Sequence, residues 1–252
     1  MTTHSLDLWS PQLRTRRRVD VYLPRSYDAD ARRRHPVLYM HDGQNLADPS
    51  TAFAGATWEL DASLVRLAAH GIEPIVVGVH HGGEQRLAEL SPFADPKHGG
   101  GRGDRYVRFV AETVRRAIDA RYRTRADREH TAIAGSSMGG LISLYAFFRE
   151  GSPFGRAAVM SPSVWFGERR ILTFIEQAPG ARGRLYVDVG TEEGAGTLRD
   201  ARALAALLRR KGYRTGRTLR YIEARGHRHQ EHDWARRLPG ALEFLFGSRR
   251  NG

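Results

Sequence analysis

The sequence predicts an α/β fold: a mostly parallel central sheet with an antiparallel strand pair at its N-terminal side and helices on both faces. Three observations predict it. Short apolar runs alternate with amphipathic helical stretches along most of the chain, the pattern of successive βαβ units. The opening segments alternate apolar and polar residues with period two and stop at Pro24, as an antiparallel pair does. The composition, 40% hydrophobic and 27% charged over 252 residues, is that of a folded chain rather than a disordered one. An α/β architecture often fills about 250 residues as one unit, so a single domain over 1–252 is expected.

In chain order, the antiparallel pair is Leu6–Ser10 with Arg17–Leu23, where Val19, Val21 and Leu23 share a face. Strands follow at Pro36–Met40, Pro74–Val79, Thr131–Ala134, Ala157–Met160, Leu185–Val189 and Thr218–Ile222, each too short for a helix and apolar enough to be covered on both sides. Helical patterns fall between and after them at Thr57–Ala69, Asp104–Tyr122, Met138–Arg149, Arg170–Gln177, Leu198–Lys211 and Trp234–Phe246. The segment His80–Gly103, rich in Gly and His, reads as an irregular, mobile, lid-like insertion. It follows a strand, which puts it at the carboxyl edge of the sheet, where open α/β sheets bind ligands. It contains no phosphate-loop pattern, and the chain shows no internal repeat.

Composition narrows the chemistry. With Cys 0, covalent catalysis falls to Ser, Thr, Lys, His or a carboxylate. No apolar run reaches the roughly 18 residues of a membrane span, and MTTHSLDLWS lacks the form of a secretory signal, so a cytoplasmic protein without a membrane partner is expected. The net charge of +12 raises nucleic acid as a partner, but the excess is arginine in short scattered groups such as Arg16-Arg17-Arg18 and Arg32-Arg33-Arg34. None of the usual nucleic-acid-binding motifs accompanies them, so no nucleic-acid partner is expected.

The strongest motif is Gly135-Ser136-Ser137-Met138-Gly139 between the strand Thr131–Ala134 and the helix Met138–Arg149. G-x-S-x-G in a strand–turn–helix setting presents a serine above the sheet edge, with the helix N-terminus beside any oxyanion formed there. Ser137 is therefore the expected nucleophile. Its base and acid should follow in the order serine, acid, histidine, in loops after later strands. The loop after Leu185–Val189 offers Glu192 and Glu193, with Asp188 inside the strand; the loop after Thr218–Ile222 offers His227, His229 and His232. Spacing alone does not choose among the histidines. His229 is favoured, and Glu193 is favoured over Glu192 and Asp188 because a turn carboxylate can reach an imidazole. The loop after the first parallel strand, His41-Asp42-Gly43-Gln44-Asn45, should supply the second oxyanion donor through the backbone N–H of Gln44, partnering that of Met138. His41 and Asp42 precede the nucleophile and read as loop-shaping groups.

These pieces, with Tyr39-Met40 before the His41 loop, Trp58, Ser161-Pro162-Ser163-Val164-Trp165, Gly190-Thr191-Glu192-Glu193, and His229 five places before Trp234, carry a family resemblance over nearly the whole chain. The chain resembles the putative-esterase branch of the α/β-hydrolases, which includes esterase D-like enzymes, enterochelin esterases, feruloyl esterase domains and bacterial mycolyltransferases. The resemblance implies an α/β-hydrolase fold and a serine carboxylic-ester hydrolase acting on a small-molecule ester through an acyl-enzyme. It implies Ser137 as nucleophile, His229 as base, Glu193 as the orienting acid, and the Gln44 and Met138 amides as the oxyanion hole, with no cofactor. Trp58, Arg86 and Trp165 are expected around the substrate pocket. The family spans hydrolysis and acyl transfer, so it fixes neither acceptor nor acyl group, and the sequence leaves the oligomeric state open.

Two other classes compete. The run His227-Arg228-His229-Gln230-Glu231-His232 is similar to the H-x-H-x-D-H run of metallo-β-lactamase-like hydrolases, but it lies near the C-terminus and the remaining expected ligands do not follow, so no metal is expected. A non-catalytic basic binding protein on the same fold would bind polyanions in a strongly salt-dependent way.

Overall fold

The computed structural model describes residues 2–180 and 182–247. Its sheet has eight strands: β1 (Thr2–Ser10), β2 (Thr15–Leu23), β3 (Val37–His41), β4 (Ile75–Val79), then, after a small ribbon of β5 (Ala94–Asp95) and β6 (Gly99–Gly100), β7 (Thr131–Ser136), β8 (Arg156–Met160), β9 (Arg184–Gly190) and β10 (Leu219–Ala224). Across the sheet the order is β1-β2-β4-β3-β7-β8-β9-β10. The β1–β2 and β2–β4 pairs are antiparallel and every other pair is parallel. The sequence places each of these eight strands to within a few residues. The largest miss is the first residues of β1, whose exposed, polar pattern carries no burial signal.

Alternation along each strand divides the interior into two layers. On β3, Val37 and Tyr39 enter one core, while Leu38 and Met40 enter the other. Helices cover both. The first layer packs under α3 (Gly103–Arg108), α4 (Arg115–Arg121), α5 (Met138–Phe148), α6 (Arg170–Gln177) and α7 (Ala195–Arg210), through residues such as Val107, Ile118, Leu144, Ile175 and Leu208. The second packs under α1 (Leu60–Ala68) and α8 (Glu231–Phe246), through Leu60, Leu64, Leu238 and Leu242. Coverage of both faces is why the parallel strands read as continuous apolar runs.

Two departures from the sequence reading have local causes. The helix expected over Asp104–Tyr122 forms, but with a π turn at Phe109–Val114 between α3 and α4. A π turn adds about one residue to the helix, a phase shift that a 3.6-residue template over so short a stretch does not separate from an unbroken helix. The segment 80–103 carries a short helix, α2 (Arg86–Glu89), and the β5–β6 ribbon, so it is less irregular than its glycines suggest. It is pinned by a buried ion pair, Arg17 to Glu89 at 2.8 Å, and by the Ser91 hydroxyl, which donates to the Leu87 carbonyl and accepts from the Gly101 N–H.

The same segment is tied to the antiparallel strands by Asp20. Its carboxylate accepts from His80 Nε2 at 2.6 Å, the Ser5 hydroxyl at 2.6 Å and Arg18 Nε at 3.0 Å. Burial alone would raise its pKa, but these donors outweigh burial and bring it from 3.8 to about 2. A lowered carboxylate pKa contributes stability above the unfolded value that is lost as the pH falls through the folded one. Asp20→Asn is therefore expected to lower Tm at neutral pH and to flatten the fall of Tm between about pH 4 and about pH 2. Thermal melts of both proteins over that range check it; parallel curves would contradict it.

Candidate active site

The carboxyl ends of β3, β7, β9 and β10 bring four loops to one edge of the sheet. At the end of β7 the chain turns directly into α5, and Ser137 takes the turn with φ 56° and ψ −119°. A non-glycine residue in that region costs on the order of 1–3 kcal/mol and persists only where its surroundings hold it. Here the Ser137 N–H donates to the Met160 carbonyl at 3.0 Å, and its carbonyl accepts from the Ser163 and Leu141 amides at 3.0 Å each. The flanking glycines have a different role from the one their conformational freedom suggests. Neither Gly135 nor Gly139 has a positive φ. A Cβ on Gly135 would lie 2.9 Å from the Gly139 carbonyl carbon, so the glycines allow strand and helix to touch while the serine takes the strain.

The Ser137 hydroxyl hydrogen-bonds the buried Ser163 hydroxyl at 3.1 Å and no imidazole. The acid and the histidine do meet: His229 Nδ1 lies 2.8 Å from Glu193 Oε2. The His229 side chain is 41% exposed, whereas that of Glu193 is fully enclosed, so the histidine stands at the surface on a buried anchor. Burial would raise the Glu193 pKa, but hydrogen bonds from His229, the Ser161 hydroxyl and the Gly190 N–H hold it below its ordinary value. The imidazole also stands edge-on to Trp234, centroids 5.0 Å apart. The loop carrying it is fastened to α8 by Asp233, which accepts from the Arg228 N–H at 2.7 Å and the Gln230 side chain at 3.0 Å.

The other two carboxylates point elsewhere. Glu192 is exposed, and Asp188 is sealed inside β9 with its carboxylate 3.1 Å from Arg237 Nε. Burial pushes Asp188 up to about 6 despite that arginine. His227 Nδ1 faces Asp233 at 3.6 Å and His232 is exposed, so the three histidines do not converge. Among the described residues no group of three or more His, Asp or Glu side chains is arranged to hold a metal ion.

The loop after β3 is built for close approach. Asp42 takes a left-handed conformation, φ 54°, and a Cβ on Gly43 would lie 2.5 Å from the Gly78 carbonyl carbon. The Gln44 and Met138 N–H groups donate to no other described group. The Gln44 side chain is occupied, since its Oε1 accepts from the His81 N–H at 3.3 Å and so joins this loop to segment 80–103. Gly43→Ala is expected to force a backbone shift costing about 1–3 kcal/mol, several degrees of Tm for a chain of this size. A melt indistinguishable from that of the parent would show that the loop has room.

Two of the residues expected at the pocket are engaged with neighbouring side chains. Trp58 is 3% exposed and packs against Trp234 with centroids 5.8 Å apart, so it backs the tryptophan that contacts His229. Arg86 grips Asp42 through two 2.7 Å hydrogen bonds, Nε to Oδ1 and NH2 to Oδ2. Trp165 remains open, 46% exposed, with the His98 ring edge-on at 5.8 Å. His41 is enclosed, its Nδ1 2.8 Å from the Tyr106 hydroxyl, and burial lowers its pKa to about 4.

Sequence reasoning missed the groups behind Glu193. Ser161, at φ 42°, donates its hydroxyl to Glu193 Oε1 at 2.5 Å and accepts from Trp234 Nε1 at 3.0 Å and Arg237 NH2 at 2.8 Å. Arg237 sits inside a helix pattern and looks like a solvated residue; only a serine next to a proline at a strand end hints at the partner it reaches.

A strained serine at a strand–helix turn, with later strands delivering a carboxylate and a histidine to the same edge of a mostly parallel sheet, defines an α/β-hydrolase fold. Over residues 10–245 the chain matches the family described as "Putative esterase", and it belongs to that family. The protein YbbA of Bacillus subtilis, described as uncharacterized, is 25% identical over 248 residues, 93% of this chain and 94% of its own. A siderophore enterobactin esterase of Emericella nidulans is 39% identical over 85 residues, 32% of this chain and 27% of that protein. Among solved structures, a ferulic acid esterase superposes with a TM-score of 0.75 at 23% identity, covering 97% of this chain and 98% of its own, which shows the shared fold. Family and relatives together make ester hydrolysis the class of chemistry. No helix among the described residues is long and apolar enough to cross a membrane.

Proposed function

We propose that this chain is a serine carboxylic-ester hydrolase in which Ser137 is the nucleophile, His229 the general base and Glu193 the acid that orients it. The observation that carries the reading is the 2.8 Å contact between His229 Nδ1 and Glu193, because it commits Nδ1 to the carboxylate and leaves Nε2 to take a proton. Catalytic hydrogen bonds to the nucleophile commonly tighten only once substrate is bound, so the present Ser137–Ser163 contact is compatible with this role.

In the acylation half, the Ser137 oxygen attacks the ester carbonyl carbon as its proton passes to His229 Nε2. The Gln44 and Met138 amides, both without an acceptor among the described residues, receive the tetrahedral oxyanion. Collapse breaks the carbon–alkoxy bond, and the leaving alcohol takes the proton from His229. Water repeats the sequence: its proton goes to Nε2, its oxygen to the acyl carbon, and the serine leaves with the proton returned. Glu193, held below its ordinary pKa, stays charged throughout and stabilises the imidazolium.

The names of the relatives, a siderophore enterobactin esterase and a ferulic acid esterase, favour a small-molecule ester as substrate. Trp165, exposed beside His98, offers an aromatic face for an aryl acyl group. Exposure to a fluorophosphonate that captures activated serines tests the reading. One adduct is expected, on the peptide holding Ser137, and none on Ser137→Ala. An unlabelled but folded parent protein, or a label elsewhere, would remove Ser137 from the mechanism.

A further inference from the structure

Beside the carboxyl edge of the sheet lies a cavity of about 600 Å³ whose lining includes neither the Ser137, His229 and Glu193 side chains nor the Gln44 and Met138 amides. It is bounded by the turn between β1 and β2, by residues 80–85 and by the start of α3, and six arginines line it: Arg14, Arg16, Arg17, Arg18, Arg102 and Arg105. Three of them are neutralised locally. Arg17 pairs with Glu89 at 2.8 Å, Arg18 with Asp20 at 3.0 Å and Arg16 with Asp7 at 3.1 Å. Among the described residues the other three pair with no carboxylate. Arg102 NH1 donates to the neutral amide oxygen of Gln85 at 2.7 Å, and the Arg14 and Arg105 guanidiniums have no partner among the described residues. Three exposed cations facing one concavity repel each other until an anion enters, an effect that solvent and salt screen.

Two features mark the cavity as built. Its floor is the Arg17–Glu89 pair, whose side chains are 4% and 5% exposed, so the charges above it rest on a rigid base. Its rim residue Arg14 occupies the left-handed region, φ 57°, in a hairpin turn where glycine or asparagine would be unstrained. A long guanidinium is placed at a position that its backbone disfavours. The volume is that of a small-molecule site, and arginine forks suit the oxygens of phosphate and carboxylate.

We propose that this cavity binds a small polyanion carrying phosphate or carboxylate groups, with Arg14, Arg102 and Arg105 as the principal cations. An open cleft of this volume fits a small molecule better than the extended track that a nucleic acid requires. The wall it shares with the catalytic edge is residues 80–85: the His81 N–H holds the Gln44 side chain, and Gln85 precedes the arginine that grips Asp42. An anion seated here therefore lies next to the oxyanion loop, either as the charged end of an ester substrate or as a separate ligand.

Calorimetric titration of Ser137→Ala protein with inorganic pyrophosphate and with citrate at low salt tests the proposal, and this arm does not depend on the esterase reading because the nucleophile is absent. Saturable single-site binding of at least one anion is expected, weakened by added salt and by at least about tenfold in Arg14→Ala/Arg105→Ala, where two exposed side chains are removed. No binding of either anion, unchanged affinity in the double variant, or tighter binding of a short DNA duplex than of either small anion would overturn it. In the active protein, 4-nitrophenyl hydrogen succinate and 4-nitrophenyl butyrate separate the two sources. A double variant slowed only on the succinate assigns the anion to the substrate. Unchanged rates on both, with pyrophosphate or citrate binding lost, assign it to a free ligand, whereas equal slowing on both would mean that the arginines support the catalytic loops and would overturn the proposal.

Discussion

Ser137→Ala is expected to lower kcat/KM for a small aryl ester by about 10⁴–10⁶-fold while leaving Tm unchanged or slightly raised. In the proposed mechanism the serine acts as one unit with its base and acid, so removing it removes the covalent route and the expected loss is large. Rate above background should survive only to the extent that the Gln44 and Met138 amides stabilise an oxyanion formed by direct attack of water, typically 10²–10³-fold per donor in serine hydrolases. Stability should not fall, because the Ser137 hydroxyl makes one side-chain hydrogen bond, to Ser163, while its strained backbone is held by main-chain contacts that alanine keeps. Steady-state kinetics beside a thermal melt check both halves. Near-parental activity in a folded variant would move the chemistry off the elbow, and a large loss of Tm would show that the hydroxyl is structural.

The second large effect is on stability. Arg237→Met is expected to cost about 3–5 kcal/mol and lower Tm on the order of 10 °C, because it leaves a buried carboxylate without its partner. Arg237 stands on α8 with 7% exposure; its Nε lies 3.1 Å from Asp188, and its NH2 lies 2.8 Å from the Ser161 hydroxyl and 3.6 Å from Glu193. Methionine fills similar space but supplies no charge. The penalty should depend on pH with a definite sign. Burial already pushes Asp188 from 3.8 to about 6, so the folded state pays increasingly to ionise it as the pH rises through that range. Removing the arginine takes away the main opposing influence, so the penalty should grow from acid to neutral pH. Combining Arg237→Met with Asp188→Asn should recover part of the loss, since both charges then leave together. A penalty equal at pH 5 and pH 8 would show that Arg237 contributes by packing alone.

This arginine also explains why the choice of acid was open in the sequence. Asp188, Glu192 and Glu193 lie within six residues of one another, each a carboxylate near the end of a strand. The side chain of Asp188 points into the sheet layer toward α8, Glu192 points to solvent, and Glu193 turns back under the histidine loop. That return depends on Gly190, where a Cβ would collide with the His227 carbonyl, so the two loops cross at van der Waals distance. Strand end, turn and carboxylate are local features and can be read along the chain. The crossing of two loops 30 to 40 residues apart is not one of them.

By itself, the sequence determined the strand and helix succession, because burial on one or both faces leaves a period that survives without tertiary information. It also determined the serine elbow, because a strand-to-helix turn this tight needs glycines at fixed offsets. The tertiary structure alone decided which carboxylate meets His229, that Trp58 packs on Trp234 and Arg86 on Asp42, and that Ser161 and Arg237 stand against Glu193. It decided as well that arginines from the first hairpin and from the start of α3, about 90 residues apart and scattered in the sequence, face one cavity. Periodicity records how buried a residue is, but pairing of charges depends on which distant segments the sheet order sets side by side, and no local pattern encodes that.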